Sequence, residues 1–302
     1  MISNTKIYGN NLDRDISKIF FDEYAKHPAE YSMIAHVMNA PAGHDYTESE
    51  LSPLGALAEV PEGTGVIFDT PVQGNKVTRT YTKYGLGFQI TEEMVKDDLH
   101  GQFKQMPKKL SKSAAQKLET VFWDLFNRGF TVHTSWDGKY IFADDHATLK
   151  SATTIDNKGT AAALSETSLQ AGFEYYDALV DEAGNPITMN AATLVVPKEL
   201  RFTAGQLMKN MMNIGSANRD LNTVNSQNGM VNDYSLHISK YLTSTTAWFL
   251  LSDEHDFRFL WKEQPTLTSA DDFLTNNALF KVFERFTCFV NMYKGQYGNT
   301  GV

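Results

Sequence analysis

Residues 40–74 read APAGHDYTESELSPLGALAEVPEGTGVIFDTPVQG, and the segment after them, Lys76-Val-Thr-Arg-Thr-Tyr-Thr-Lys-Tyr-Gly-Leu-Gly-Phe-Gln-Ile90, alternates β-branched and aromatic residues with polar ones. The first stretch is rich in Pro, Gly, Ser and Thr. A structureless loop of that length is uncommon inside a compact domain. It is either disordered or an extended element that finds its order on a neighbour. The second stretch has the composition and period of a strand. Together they predict a long two-stranded projection. An exposed loop of this kind cannot bury enough surface alone to offset its ordering entropy. Leu51, Leu54, Leu57, Val66, Ile67 and Phe68 are therefore the candidate contacts to another subunit.

On the C-terminal side, Thr91-Glu-Glu-Met94 predicts a helix start. Thr91 serves as N-cap, and Glu92, Glu93, Asp97 and Asp98 lie against the positive end of the helix dipole. Helical spacing continues through Leu99, Phe103, Met106, Leu110, Ala114, Leu118, Phe122 and Leu125 to about Gly129. Pro107 is the predicted weak point, because a proline in mid-helix removes a hydrogen bond and kinks the axis. On the N-terminal side, Ile16, Ile19, Phe20 and Tyr24 have helical spacing until Pro28 interrupts, and Tyr31, Ile34 and Val37 resume it. This predicts an arm with one or two short helices.

Beyond Gly129 the pattern turns to short strands and loops, including Tyr140–His146 and a Ser/Thr-rich stretch to Ala163. A helix is predicted over 165–182, with Ser165 as N-cap and Leu169, Phe173, Tyr176, Leu179 and Val180 facing inward. Ala192–Pro197 reads as a short buried strand, Glu199–Met212 as a helix, and Ser216–Asp233 as an Asn-rich surface loop. Ser235–Leu242, Ala247–Leu251 and residues 279–293 supply further strands. Helices and strands mix without βαβ repetition, so the expected class is α+β.

Composition narrows the function. The 302 residues carry a net charge of -9, which disfavours a protein that grips nucleic acid, since neutralising phosphates needs clustered Lys and Arg. Any nucleic acid is expected to be enclosed and not held by sequence-specific contacts. The long helix carries six lysines against five acidic residues between Glu92 and Glu119, and a solvated or subunit-facing surface is the expectation for such mixed charge. One cysteine, Cys288, excludes an internal disulfide and a multi-cysteine zinc site, and its apolar setting predicts a buried, inert thiol. The first fifteen residues do not form a signal peptide. No apolar run approaches the roughly 20 residues that span a bilayer, so no membrane partner is expected.

Asp144-Asp145-His146 is the most site-like cluster, because carboxylates beside an imidazole can bind a metal or shuttle a proton. Three adjacent residues point in different directions, however, and no spaced ligand pair completes a set. A turn that pins a loop is the favoured reading; Asp253-Glu254-His255-Asp256 and the lone His133 are read as structural in the same way. Gly85-Leu-Gly87 lacks the third glycine and the setting of a dinucleotide site, and Met208, Met211 and Met212 read as core filling. No catalytic residue, metal or cofactor is expected.

The order of elements, namely arm, Gly/Pro-rich hairpin, very long helix, sheet and compact α+β block, resembles the Hong Kong 97-like fold of tailed-phage major capsid proteins. Tyr84-Gly-Leu-Gly-Phe-Gln-Ile-Thr-Glu-Glu93, Ile141-Phe-Ala-Asp-Asp-His146, Leu194-Val-Val-Pro197, Ala247-Trp-Phe-Leu-Leu-Ser-Asp253 and Tyr293-Lys-Gly-Gln-Tyr-Gly298 are similar to stretches of the Mu-like major head subunit family. The resemblance implies an N-terminal arm over 1–45 and an extended loop over 46–90. It implies a peripheral domain over 91–164 with a spine helix over 91–129, an axial domain over 165–275, and a return strand with C-terminal tail over 276–302. It implies a non-enzymatic shell subunit, assembled in the bacterial cytoplasm as hexamers and pentamers into an icosahedral virion around double-stranded DNA. The sequence departs from one pattern of that family, a helical scaffold segment of about a hundred residues before the arm, so the expectation is either a separate scaffolding protein or a processed form beginning at Met1. The implied partners are further copies of the chain, a separate scaffolding protein, a portal and a decoration protein. An encapsulin-like compartment shares the fold and is the first alternative. A metal-dependent hydrolase built on Asp144, Asp145 and His146 is the second, and another virion protein is the third.

Overall fold

The computed structural model describes residues 6–91, 93–94, 104–151, 153–210, 222–225, 233–272 and 277–302. In chain order the first elements are α1 (Lys6–Tyr24), β1 (His36–Asn39), β2 (Asp45–Leu51), β3 (Gln73–Thr80), β4 (Thr82–Ile90) and α2 (Gln105–Asn127). Then come β5 (His146–Ala147), β6 (Thr154–Ile155), α3 (Glu166–Asp177), β7 (Ala191–Pro197), α4 (Arg201–Lys209) and β8 (Ser235–Ser239). β9 (Trp248–Ser252), β10 (Phe257–Asp271), β11 (Ala278–Val290) and β12 (Gln296–Asn299) complete the order. The class is α+β, as the sequence pattern predicts.

The chain forms two compact units, each discontinuous in sequence. The first comprises 1–46, 79–122 and 258–288; the second comprises 47–78, 123–257 and 289–302. These limits cross the regions expected from the sequence. Residues 258–271, expected with the block 165–275, form most of a strand of the first unit, and 130–164, expected with the long helix, lie in the second. The cause is long-range pairing, which local periodicity does not report: β10 runs parallel to β1, with His36 opposite Arg258 and Asn39 opposite Trp261.

In the first unit the sheet order is β1–β10–β11–β4. β11 pairs antiparallel with β4, from Ala278 opposite Ile90 to Phe286 opposite Thr82. Strand period 2 is visible in β11, where Phe280, Val282, Glu284 and Phe286 are buried and the residues between them are not. Phe20 of α1, Leu110 and Ala114 of α2 and Val282 form one apolar cluster. Ile16, Ile90 and Phe280 form another. The Tyr31 ring stacks on Phe259 at 4.5 Å, and its backbone N–H donates to the buried Glu119 carboxylate at 3.1 Å. A Cβ on Gly85 would collide with the Phe283 ring of the paired strand.

Pro107 does not kink a helix interior. It is the third residue of α2, in the first turn, where its missing N–H would have had no intrahelical acceptor. Thr91 Oγ1 accepts the Met94 N–H at 3.2 Å, the hydrogen bond expected of an N-cap; residues 92 and 95–103 of the expected helix lie outside the described residues.

In the second unit the sheet order is β12–β9–β7–β8. β7 pairs parallel with β8 and antiparallel with β9. α3 packs Leu169 and Tyr176 onto this sheet, and the Tyr176 hydroxyl donates to the Leu250 carbonyl at 2.6 Å. Ser165 caps α3 as predicted: its hydroxyl accepts the Ser168 N–H at 3.2 Å and Ser168 Oγ accepts the Ser165 N–H at 2.9 Å. Over the described part of the expected helix Glu199–Met212 there is a 3-10 turn followed by α4, and Met211 and Met212 lie outside the described residues. The expected surface loop over Ser216–Asp233 is not wholly at the surface. Asn222, Val224 and Asn225 are buried, and Asn222 Nδ2 donates to the carbonyls of Leu207 and Asn210 at 2.6 and 2.8 Å. That amide satisfies carbonyls that a helix end leaves without partners, so a polar stretch can enter the core; the rest of 216–232 lies outside the described residues.

The Ser165→Ala variant removes the cap acceptor. It is expected to lower unfolding stability by about 1 kcal/mol, measured by denaturant unfolding of the dissociated subunit.

Candidate interaction surface

β2 and β3 form a two-stranded ribbon. Gln73 Nε2 donates to Ser49 Oγ at 3.1 Å. The Ser52 N–H donates to the Val72 carbonyl at 2.8 Å, and the Val72 N–H returns a bond to Ser52 Oγ at 2.8 Å. Past this closure every residue from 53 to 73 is exposed. The tip still has shape. Thr64 turns back onto the Pro61 carbonyl, Gly63 takes a left-handed φ of 84°, and Asp69 accepts the Gly55 N–H at 2.7 Å while pairing with Lys150.

The six apolar residues singled out in the sequence all lie on this ribbon and stay in solvent. Leu57 is 103% and Phe68 94% exposed, and Leu51, Leu54, Val66 and Ile67 lie between 59% and 71%. The projection is shorter than the 46–90 expected. Lys76–Ile90 is not one strand: buried Tyr81 divides it, and β4 joins the sheet of the first unit.

The root of the ribbon, unlike its tip, is anchored within its own subunit. Thr47, Ser49 and Leu51 are exposed, whereas Glu48 and Glu50 face inward. Glu48 Oε2 accepts from Asn291 Nδ2 at 2.7 Å. Asp256 Oδ2 accepts the N–H groups of Asn291 and Met292, both at 2.9 Å. Glu182 and Lys294, 3% and 4% exposed, form an ion pair at 2.6 Å, and Glu182 also accepts the Leu149 N–H at 2.6 Å. Burial raises the Glu50 carboxyl, and the nearby charges of Glu182 and Glu48 raise it further. Of these acids the sequence reading picks out Asp256 alone, within Asp253–Asp256. The alternation of Glu48 and Glu50 with Thr47 and Ser49 was the available signal for two acids on an inward face.

The expected chemical clusters do not assemble. Asp144 and Asp145 are exposed while His146 is fully buried. The His146 ring stacks on Tyr293 at 4.1 Å and its Nδ1 lies 2.6 Å from Asp137 Oδ2. His133 Nε2 lies 2.8 Å from Asp124, which also pairs with Arg128. Asp256 is taken up by backbone amides, as above. Among the described residues no group of three or more His, Cys, Asp or Glu is placed to hold a metal ion. Cys288 is partly buried, and burial pushes its thiol well up.

The first unit carries two further surface features. Lys108, Lys109, Lys112 and Lys117 are exposed on α2, with no acidic residue between Gln105 and Leu118. Beside them a cavity of about 260 Å³ opens at β4, lined by Tyr84, Leu86, Ala114, Lys117, Val282 and Glu284. Glu284 is 3% exposed and its Oε2 has no hydrogen-bond partner among the described residues. Burial raises its carboxyl to about 7, against the opposing pull of Lys117.

A family model described as phage capsid protein matches residues 76–299. The major head subunit of the Mu-like prophage FluMu of Haemophilus influenzae is 27% identical over 130 residues, 43% of this chain and 40% of that protein. The matched stretch thus spans less than half of that relative. Among solved structures, the procapsid of bacteriophage JBD30 aligns with a TM-score of 0.55 at 16% identity, covering 99% of this chain and 76% of that one. The mature capsid of bacteriophage PhiM1 aligns with a TM-score of 0.60 at 11% identity, covering 91% and 88%. A virus-like particle from Pyrococcus furiosus aligns with a TM-score of 0.51 at 8% identity, covering 95% and 98%. At these identities the likeness is one of fold.

Two outcomes follow from the buried charges. Lys294→Met leaves Glu182 buried without its counter-ion and is expected to cost about 3–5 kcal/mol in denaturant unfolding; adding Glu182→Leu to it recovers most of the loss. Glu284 has its carboxyl raised from 4.5 to about 7 in the folded chain, so the unfolded chain releases this proton first. The stabilisation is complete below about pH 4.5 and lost as pH rises through about 7, amounting to about 3 kcal/mol at about 1.4 kcal/mol per pH unit. Unfolding measured across this range falls for the parent and is flatter for Glu284→Gln.

Proposed function

The chain belongs to the phage capsid protein family, whose model spans residues 76–299, and on that premise we propose that it is the major subunit of an icosahedral shell enclosing phage double-stranded DNA. The observation that carries this reading is the ribbon, which keeps these six large apolar side chains in water, five of them beyond the Ser52–Val72 closure. Fully burying a Leu, Val, Ile or Phe side chain is worth roughly 1.5–3 kcal/mol, so covering six is worth on the order of 10 kcal/mol per subunit. A docking ribbon is thus a strong driving force for association and has no such value in a solitary chain.

The ribbon, through Leu51, Leu54, Leu57, Val66, Ile67 and Phe68, lies on the neighbouring subunit. Because the tip and its receiving surface are different patches, the contact is heterologous, and repeated rotation closes rings. Six-fold and five-fold rings, hexamers and pentamers, then tile the shell. The net charge of -9 suits enclosure of DNA without sequence-specific contact. A separate scaffolding protein, a portal and a decoration protein complete this reading. A JBD30 capsid structure that aligns with a TM-score of 0.57 at 13% identity is described as decorated with minor capsid protein trimers. The site of action is the virion, with assembly in the bacterial cytoplasm. A second reading, an encapsulin-like compartment, is favoured by the likeness to a virus-like particle. The contents of purified particles separate the two: DNA for the first, a protein cargo for the second. The hydrolase reading has no comparable support, because His146 turns away from Asp144 and Asp145.

Replacing residues 53–71 with a short Gly-Ser turn keeps the Ser52–Val72 closure. The variant is expected to fold with unchanged circular dichroism and to yield no shells by electron microscopy and sedimentation. Shells of normal size and amount from this variant contradict the proposal.

A further inference from the structure

Phe280, Val282, Glu284 and Phe286 share the inward face of β11, and Glu284 is the one acid among them. It is 3% exposed, and its Oε2 has no hydrogen-bond partner among the described residues. Once ionised, a buried carboxylate in this position needs a counter-ion. The groups that face it are few. Tyr84 lies directly across the β11–β4 pair. Tyr24 of α1 and Tyr31 sense its charge, but burial raises both hydroxyls, so neither ionises near neutrality. Glu119 of α2 is taken up by the Tyr31 N–H. Arg285, Lys83 and Lys281 belong to the other face of the sheet. There Arg285 approaches Glu263 at 3.9 Å, and both lysines lie over the Phe283 ring.

Lys117 of α2 is the remaining charge. It borders the same cavity of about 260 Å³ as Glu284, and its charge pulls the Glu284 carboxyl down against the larger upward push of burial. The ammonium nevertheless does not sit on the carboxylate. It lies over the Tyr84 ring at 4.7 Å, and a ring face attracts a cation less strongly than a buried carboxylate does. Directly opposed residues of an antiparallel pair have Cβ atoms about 4.5–5.5 Å apart. Ring and carboxylate are therefore both within reach of one lysine side chain, and exposed side chains change rotamer quickly. Leu86, Ala114 and Val282 wall the cavity, a lining that suits the methylenes of lysine while its end carries the charge. Ala114 stands one turn before Lys117, so the stem can lie back over a small residue in the direction helical side chains favour. β4 is the outer strand of the sheet, and no further strand covers the mouth.

We propose that Lys117 is a proton-controlled plug for the cavity at the β4 edge, resting on the Tyr84 ring while Glu284 is protonated and entering the cavity to pair with Glu284 Oε2 when that carboxyl ionises. The proton of Glu284 goes to solvent, and Lys117 remains an ammonium in both positions. The ring-bound ammonium and the partnerless Oε2 are the open form. In the closed form the lysine stem fills the apolar walls and the carboxylate gains its counter-ion. Burial sets the changeover near neutrality, since it raises the Glu284 carboxyl to about 7. The cavity is thus open to another group only while Glu284 holds its proton. The plug is a property of the first unit of a single chain and is independent of the shell reading.

Two measurements on the full chain, as dissociated subunit, test the plug. The first is the titration of the Glu284 carboxyl carbon by NMR. Lys117→Met keeps the stem and removes the charge, and is expected to raise the Glu284 midpoint by at least about one pH unit, whereas Lys117→Arg stays close to the parent. Lys117 is exposed, and unchanged circular dichroism verifies that these variants fold. The second is the acylation of Lys117 by an amine-reactive ester, read by mass spectrometry as a ratio to exposed Lys112 on the same helix. Between about pH 6 and about pH 8.5, across the Glu284 midpoint, the ratio is expected to fall at least about threefold in the parent and to stay constant in Glu284→Gln. Three results overturn the inference: a Glu284 midpoint that Lys117→Met leaves in place, a parent ratio that does not change with pH, or a ratio that falls equally in Glu284→Gln. A lysine that never leaves the ring gives the second of these even where it shifts the midpoint, so the two measurements separate a moving plug from a fixed neighbouring charge.

Discussion

A run of 21 consecutive exposed residues, 53–73, carries Leu54, Leu57, Val66, Ile67 and Phe68 on a ribbon closed at its base by Ser52 and Val72. Two costs accumulate there. Ordering the backbone costs about 1–2 kcal/mol per residue, and the apolar side chains remain hydrated. Within one subunit neither is offset, because the tip's own bonds, Thr64 to Pro61 and Asp69 to Gly55, bury no apolar group. On the shell reading, the covering of the apolar side chains comes from a neighbouring copy. The root of the ribbon makes that possible. Glu48 held by Asn291, and the Glu182–Lys294 pair beneath, fix where the ribbon leaves the body. A fixed departure limits the orientations the tip samples, and pre-organisation of this kind reduces the entropy lost on docking.

Electrostatics adds direction to that demand. The acids of the second unit's sequence outnumber its bases by ten, whereas the first is close to neutral with its lysines on one helix face. Charge divided in this way brings unlike surfaces together and keeps like surfaces apart, which favours a head-to-tail contact over a symmetric one. Buried Glu284 at the cavity wall belongs to the same balance. It is protonated at low pH and charged as pH rises past about 7, so the cavity's polarity depends on the medium in which subunits meet.

Much of this was legible in the sequence wherever structure is local. Ser165 followed by the Leu169, Phe173 and Tyr176 spacing gives helix α3 and its cap. The Leu194–Pro197 run gives β7, and the Gly/Pro-rich span after Asn39 gives the projection with its six apolar residues. Legibility fails where partners are distant in sequence. Nothing near Arg258 reports that β10 runs beside His36–Asn39, a pairing of residues more than two hundred positions apart. Pro107 misleads because Leu99, Phe103 and Met106 continue the helical spacing across it. Asn222 reads as a surface residue because the carbonyls that bind it belong to Leu207 and Asn210. Glu48, Glu50 and Lys294 pass unnoticed, since a buried ion network has no period to betray it.

The central claim is that residues 53–73 are covered only by another copy of the chain. Backbone hydrogen exchange of this segment, compared between dissociated subunits and assembled particles at one pH and temperature, measures that covering directly. The account predicts rapid exchange in the free subunit and strong protection in the particle, confined to the ribbon tip and its receiving surface. Equal exchange in the two states, or a tip already protected in the free subunit, contradicts it.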